Sequence, residues 1–371
     1  MPIKVGFDAR MIENSGIGIR IQHILKFWPL SEKEVELHVF GDPSLLSKHD
    51  LPSHSKIIPY TAKIYSVREW LGHPSMKKMD ILDIPHFNVP IFHIRKCIVT
   101  IHDLIPYHFK AAHSSLVKRI YMQFIFRWIK WFAHKIIAVS EFTKQDLIRE
   151  FHYQTSRISV IYNGIDTETF SKRKPAELSS FQTKYKLPKD YIFTVGIGKA
   201  HKNFPFLLET LEEMWQDKSL KSPLVIGGIS KKIPDELLEF QKKHKTLIYF
   251  LPHLPYDKLP LVYQSAKLFI YPSMYEGFGF PVLEAQTSGT PVLSSSASVL
   301  PEILKDTAEY FDPSDKNDLK IKLSEILKNQ KKQKQLTKLG ETNSKRFPWK
   351  NAIENLNSLY QSEIEGFAEN G

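Results

Sequence analysis

The sequence predicts an α/β protein of two doubly wound domains, each a parallel sheet covered by helices on both faces. Three observations carry that expectation. Short β-branched segments alternate with longer helical patterns along the chain, the signature of a parallel sheet. The alternation restarts after a polar, charged stretch, Ser171 to Asp190. A length of 371 residues is natural for two domains, and a hydrophobic fraction of 42% lets each half bury a core.

The first series opens on the strand Ile3–Phe7, followed across a glycine-bearing connection by a helix from Gly16 to Lys26. Val35–Phe40, Lys56–Pro59, Ile81–Ile84, Ile98–Ile101 and Lys135–Val139 read as further strands. Ser140, before Glu141-Phe142-Thr143, reads as a helix N-cap. Asn163-Gly164 reads as a turn. The second series comprises Tyr191–Val195, Pro223–Gly227, Thr246–Leu251, Lys267–Tyr271, Pro291–Ser294 and Ala308–Phe311, with helices between. The domains are expected at 1–175 and 176–349, the boundary falling in Thr167–Leu187. Trp349, Ala352, Ile353, Leu356, Leu359 and Tyr360 recur at helical spacing, predicting a closing helix over about 350–371 that packs back on the first domain. Ligands of open parallel sheets bind beyond the carboxyl ends of the strands, so two facing sheets predict a deep cleft.

Composition narrows the class. The single cysteine, Cys97, lies in an apolar run and reads as a buried strand residue. One cysteine leaves no intramolecular disulfide framework and no cysteine-based zinc site, and a cytoplasmic location is expected. The first residues do not read as a signal peptide, and no apolar run approaches the ~20 residues of a membrane span. The net charge of +11 owes much to lysine-rich stretches such as Lys328–Lys334, read as solvated helix faces. No nucleic-acid module accompanies that charge, and no nucleic acid is expected as partner.

The densest chemistry lies in the run YPSMYEGFGFPVLEAQTSGTPV, Tyr271 to Val292. Glu276 and Glu284 flank the turn Gly277-Phe278-Gly279, and Pro281 stands where a helix would start. An apolar strand precedes the run. Strand, glycine turn and helix place backbone N–H groups and a positive helix end at one point, which suits phosphate. A carboxylate on each side suits the hydroxyls of a sugar and a ribose.

Other segments extend the match. GFDARMIENSGIGIR, TIHDLIP, AVSEFTKQDL, VIYNGID, YIFTVGIGKAHKNF, the Tyr271 run and RFPWKNA stand in order along nearly the whole chain. Together they resemble a retaining glycosyltransferase of family 4 with the two-domain GT-B fold. The resemblance implies transfer of a sugar from a nucleotide-diphosphate donor, GDP-mannose or a UDP-sugar, to a glycan or lipid-linked acceptor. It implies that Glu276 faces the donor sugar, Glu284 holds the ribose hydroxyls, and Lys202 binds the diphosphate. Backbone N–H groups around Gly277, Phe278 and Gly279 would bind the donor, Gly16 and Gly18 would admit the donor phosphates or the acceptor, and His102 would line the donor sugar. Where many members carry an arginine before the lysine, this chain has His201, which puts its own role at the phosphates in doubt and leaves Arg10 or Arg20 to assist Lys202. The chain has no Asp-x-Asp motif, so no cofactor and no metal is expected, with Lys202 and a helix N-terminus replacing the ion.

The acceptor side is less defined. His86 and Asp103 are its candidates, with the loops Tyr60–Pro74 and Pro106–Ser115. His102 and His86 each also read as structural residues after a strand. Lys118–Lys135 is aromatic and basic: it reads either as a helix packed on the first sheet or as a surface that leans on an anionic membrane at its inner face. Two other functions stay open: a nucleotide-sugar epimerase or hydrolase on the same fold, and a non-catalytic basic binding protein.

Overall fold

A computed structural model describes residues 2–109, 116–229 and 233–369. The chain divides into two compact units. One holds the residues up to Gly164 together with those from Trp349 onward, and the other is Ile165–Pro348. The break therefore falls at Gly164/Ile165, ahead of the expected 175. The closing helix, Trp349–Glu369, counts with the first unit.

The first unit is built on seven strands: β1 (Ile3–Asp8), β2 (Val35–Gly41), β3 (Lys56–Pro59), β4 (Ile81–Ile84), β5 (Cys97–Ile101), β6 (Lys135–Ala138) and β7 (Ile158–Val160). Their order is β3-β2-β1-β4-β5-β6-β7, and every pairing is parallel. The register sets Val5 between Leu37 and Ile81. β4 and β5 are buried at every position, as expected of strands covered on both faces, and Cys97 is among them. The helix Leu116–Phe132 buries Met122, Ile125, Phe126 and Ile129 at helical spacing, and leaves Ile120, Phe124 and Trp131 exposed. The buried face agrees with the reading of a helix packed on the first sheet. In the closing helix Trp349, Ala352, Ile353, Leu356 and Leu359 are buried, and the Tyr360 hydroxyl donates to the buried carboxylate of Asp83 on β4. Ser140 caps the helix Glu141–Phe151, accepting the Thr143 N–H at 3.0 Å. Of the loop 106–115, residues 110–115 lie outside the described residues.

The second unit holds β8 (Ile192–Val195), β9 (Leu224–Gly227), β10 (Ile248–Phe250), β11 (Leu268–Tyr271), β12 (Val292–Ser295) and β13 (Glu309–Phe311). The order is β10-β9-β8-β11-β12-β13, again parallel throughout. Ile192, Leu224, Ile226, Ile270 and Leu293 from the sheet meet Leu207, Leu211 and Met214 of the helix Phe204–Gln216 in one core.

Each sheet changes its winding direction once. In the first unit β1 lies between β2 and β4; in the second, β8 lies between β9 and β11. The connections leaving the two strands at such a point diverge and open a crevice beyond their carboxyl ends. β1, ending at Asp8, and β4 are followed by Ala9–Arg10 and Pro85–Asn88; β8 and β11 are followed by Gly196–Lys202 and Pro272–Gly279. Among the described residues no helix is long and apolar enough to cross a membrane.

Candidate active site

The second unit gathers its charged groups at the switch between β8 and β11. After β8 the chain makes a glycine-bearing turn and a short helical turn, Ala200–Lys202, and the lysine returns over the turn. Gly196 (φ +105°) leaves it room: a Cβ there would stand 3.1–3.2 Å from three carbons of the Lys202 stem. Lys202 Nζ donates to Glu276 Oε1 at 2.6 Å and to the Tyr271 hydroxyl at 2.5 Å. Glu276 Oε1 also accepts from the Tyr271 hydroxyl at 2.8 Å and the Ser273 hydroxyl at 2.6 Å. The Glu276 backbone N–H donates to Ser298 Oγ at 2.9 Å, fixing the turn from the far side. Burial would raise the Glu276 pKa, but the adjacent ammonium and the three donated hydrogen bonds outweigh it and hold the carboxyl below its ordinary value.

Glu284 is held differently. It stands on the helix Phe280–Thr287, which starts at Gly279 in left-handed conformation with Pro281 in its first turn. It is buried, and its Oε2 accepts from the Tyr263 hydroxyl at 2.8 Å. Burial dominates here, and one neutral hydrogen bond with a more distant Lys202 offsets it only in part, so the pKa rises to about 7. Two glutamates of one motif thus have their pKa values shifted in opposite directions. The Phe278 ring is packed edge-on against Phe280 and Phe347, so any part it has in ligand binding belongs to its backbone.

Several expectations are corrected. His201 is buried, which pulls its pKa down to about 4, so it brings no positive charge at neutral pH; its carbonyl instead accepts from Ser273 Oγ and the Met274 N–H, tying the two loops together. Neither arginine is available to assist Lys202. Arg10 grips Asp8 and Glu69 at 2.7 and 3.0 Å, and Arg20 is buried against Asn163 Oδ1 at 2.8 Å. Asn163 is therefore more than a turn residue. Gly18 lies inside the helix Ser15–Lys26, where a Cβ would stand 2.4 Å from the Ile12 carbonyl oxygen; its missing side chain is used by its own chain, not left for a ligand. Gly16 occupies the first turn of that helix.

In the first unit His102 follows β5, and its Nε2 lies 3.0 Å from the Pro85 carbonyl. A carbonyl only accepts, so Nε2 carries the proton. Burial, with the charge of Arg20, lowers the His102 pKa to about 3 and keeps the ring neutral. His86 is only 1% exposed and does not line a surface: its Nδ1 accepts the Asn88 N–H at 3.1 Å, and Nε2 faces Asp8 at 3.4 Å. Asp103 accepts the Ile105 N–H at 2.9 Å, bracing the short helix that follows. Tyr271, Ser273 and Tyr263, which hold the two carboxylates, were missed in the sequence. The first two stand inside the motif run and carried a signal; Tyr263 lies 21 residues before Glu284 and carried none.

Two family models match adjoining parts of the chain: Glycosyltransferase Family 4 over residues 18–169 and Glycosyl transferases group 1 over residues 176–343. The chain is 28% identical to O-antigen chain mannosyltransferase B of Escherichia coli over 282 residues, 75% of this chain and 68% of that one. It is 26% identical to the O-antigen chain mannosyltransferase RfbU of Salmonella typhimurium over 264 residues, 70% of this chain and 69% of that one. Among solved structures, sucrose-phosphate synthase from Thermosynechococcus elongatus shares the fold with a TM-score of 0.77 at 16% identity, covering 98% of this chain and all of that one. Anabaena HepE, solved in complex with UDP-glucose, shares it with a TM-score of 0.76 at 16% identity, covering 97% of this chain and all of that one.

Proposed function

Since this chain belongs to the group 1, family 4 glycosyltransferases and is an enzyme of glycosyl transfer in polysaccharide synthesis, we propose that it moves a sugar from a nucleotide-diphosphate donor to a glycan or lipid-linked acceptor with retention of configuration. The observation that carries the reading is the Lys202–Glu276 pair, a buried carboxylate with a half-buried lysine, with Glu284 across the glycine turn. The mannosyltransferase relatives favour GDP-mannose, and the UDP-glucose complex of HepE keeps UDP-sugars as candidates.

In this reading the departing nucleotide diphosphate gathers negative charge while the sugar ring becomes positive. Lys202 and the N–H end of the helix Phe280–Thr287 meet the phosphates, a preorganised complement that needs no divalent ion. Glu276, kept ionised, stabilises the oxocarbenium-like ring. Glu284 accepts the ribose hydroxyls, and His102 offers the reacting sugar a neutral hydrogen-bonding group. The exposed Ile120, Phe124 and Trp131, on a helix that also carries Arg127 and Lys130, support a peripheral contact with an anionic membrane at its cytoplasmic face.

A panel of nucleotide sugars assayed with and without chelator tests the reaction. One donor should be consumed equally in both conditions, and Lys202→Ala or Glu276→Ala should each lower turnover about 100-fold, the worth of ~3 kcal/mol of transition-state stabilisation. Full activity in either variant overturns the assignment.

Accepting both ribose hydroxyls at once uses Glu284 in its ionised, acceptor-only form. With a pKa of about 7, affinity for the free nucleotide should rise about tenfold between pH 6 and pH 8. Folding runs the other way: a carboxyl whose pKa is raised on folding favours the folded state at acid pH and loses that contribution as pH climbs through about 7. Glu284→Gln should flatten the Glu284 part of both profiles; an unchanged binding profile contradicts the role.

Vesicles test the surface. The protein should pellet with phosphatidylglycerol-containing vesicles and not with phosphatidylcholine alone, and Trp131→Glu should abolish pelleting; pelleting that survives this variant rules out that face.

A further inference from the structure

Tyr65 has a backbone φ of +65°, a left-handed conformation that bulky side chains avoid. The residue is also 52% exposed, so core packing does not impose the strain. What imposes it is a line of buried charges. The Tyr65 N–H donates to Glu69 Oε2 at 2.7 Å. Glu69 is fully buried and lies 3.0 Å from an Arg10 nitrogen through its other oxygen. Arg10 grips Asp8, the last residue of β1, through Nε at 3.0 and 3.1 Å and through a terminal nitrogen at 2.7 Å. It further donates to the Ala62 carbonyl at 3.1 Å and lies 4.6 Å over the Tyr60 ring, gripping the loop that carries Tyr65. Three buried charges in a row are costly, and they connect the central strand of the sheet to one exposed tyrosine. Strain maintained by such surroundings marks a position that is used.

The ring is presented beside other aromatics. It lies edge-on to Tyr121 at 5.6 Å and 6.5 Å from Phe87. Tyr121 stacks flat on Trp70 at 5.8 Å and 3°, and its hydroxyl donates to Asn88 at 3.2 Å. Phe87 and Asn88 leave the carboxyl end of β4, and Asp8 ends β1, so the group stands at the switch point of the first sheet, where ligands of such sheets bind. A rigid aromatic surface with hydroxyls at its margin complements a pyranose, which has one face of C–H bonds and a rim of hydroxyls.

Resting on the transferase reading, we propose that Tyr65, Phe87 and Tyr121 form the subsite that receives a pyranose ring of the saccharide acceptor, with Asp8, Arg10 and Glu69 as its positioning residues. The residues of that reading's donor chemistry, Lys202, Glu276 and Glu284, belong to the other unit, so the two can fail separately.

Saturation-transfer NMR on the full chain tests the subsite. The probes are methyl and n-butyl glycosides of mannose, glucose, galactose and N-acetylglucosamine, with GDP or UDP in the same tube. At least one glycoside should receive saturation on its ring protons. Tyr65→Gly should lower that signal at least fivefold while leaving the nucleotide signal unchanged. Glycine is at ease at positive φ, so this variant should melt no lower than the parent, which separates loss of the ring from loss of the fold. Tyr65→Trp should retain the signal, and Glu69→Gln should reduce it with the nucleotide signal intact. A Tyr65→Gly protein that binds glycosides as the parent does overturns the proposal. So does a parent that binds none of them, or saturation confined to the butyl chain, which would assign the surface to a lipid tail. An absent nucleotide signal in the parent counts against the transferase reading alone.

Discussion

The second unit depends on one contact, the ion pair between Lys202 and the buried Glu276. A carboxylate taken out of water needs a cation and hydrogen-bond donors, and this one has the lysine, Tyr271 and Ser273 on a single oxygen. Those partners converge only because β8 and β11 are neighbours although three strands apart in the chain. The reversal of winding that makes them neighbours also opens the crevice beyond their ends. Gly196 lets the lysine lie across its own loop, and Ser298 fixes the carboxylate loop from the opposite side. The pair satisfies both charges without a ligand. In the proposed reaction an arriving diphosphate competes with Glu276 for the lysine, leaving the carboxylate for the sugar.

The same region shifts two glutamates eight residues apart in opposite directions. Glu276 is held ionised by its cation, while Glu284, with a single neutral donor, is pushed to about 7. Burial keeps His201 neutral, so Lys202 carries the charge that His201 does not. The first unit uses its own switch point in a parallel way: Asp8 and His86 face each other across β1 and β4, and Arg10 extends that polar cluster to the buried Glu69. Burial strengthens each of these contacts and makes each partner costly to remove.

Much of this was legible in the chain. Strand ends agree within one or two residues for most elements, because fully buried parallel strands read as short apolar runs bounded by turn residues. β7, three residues with a serine at its centre, gave no such run. The glycine turn and the two glutamates were readable because the motif is local. Partners distant in sequence were not. Arg20 looked free because Asn163 lies 143 residues away, Arg10 because its grip on the neighbouring Asp8 is completed by Glu69, 59 residues away, and His86 looked accessible because its burial against Asp8 depends on strand order. Gly18 looked ligand-facing because nothing local shows that the Ile12 carbonyl fills its space. Local chemistry was visible; long-range neutralisation of charge was not.

The central claim is that Lys202 is held by Glu276 until a diphosphate takes it. Calorimetric titration of GDP and UDP into the parent protein and Glu276→Gln tests that claim most directly. If the carboxylate competes for the lysine, removing its charge should tighten binding of the accepted nucleotide at least fivefold, even though sugar transfer is lost. Equal or weaker nucleotide binding in Glu276→Gln would contradict the account.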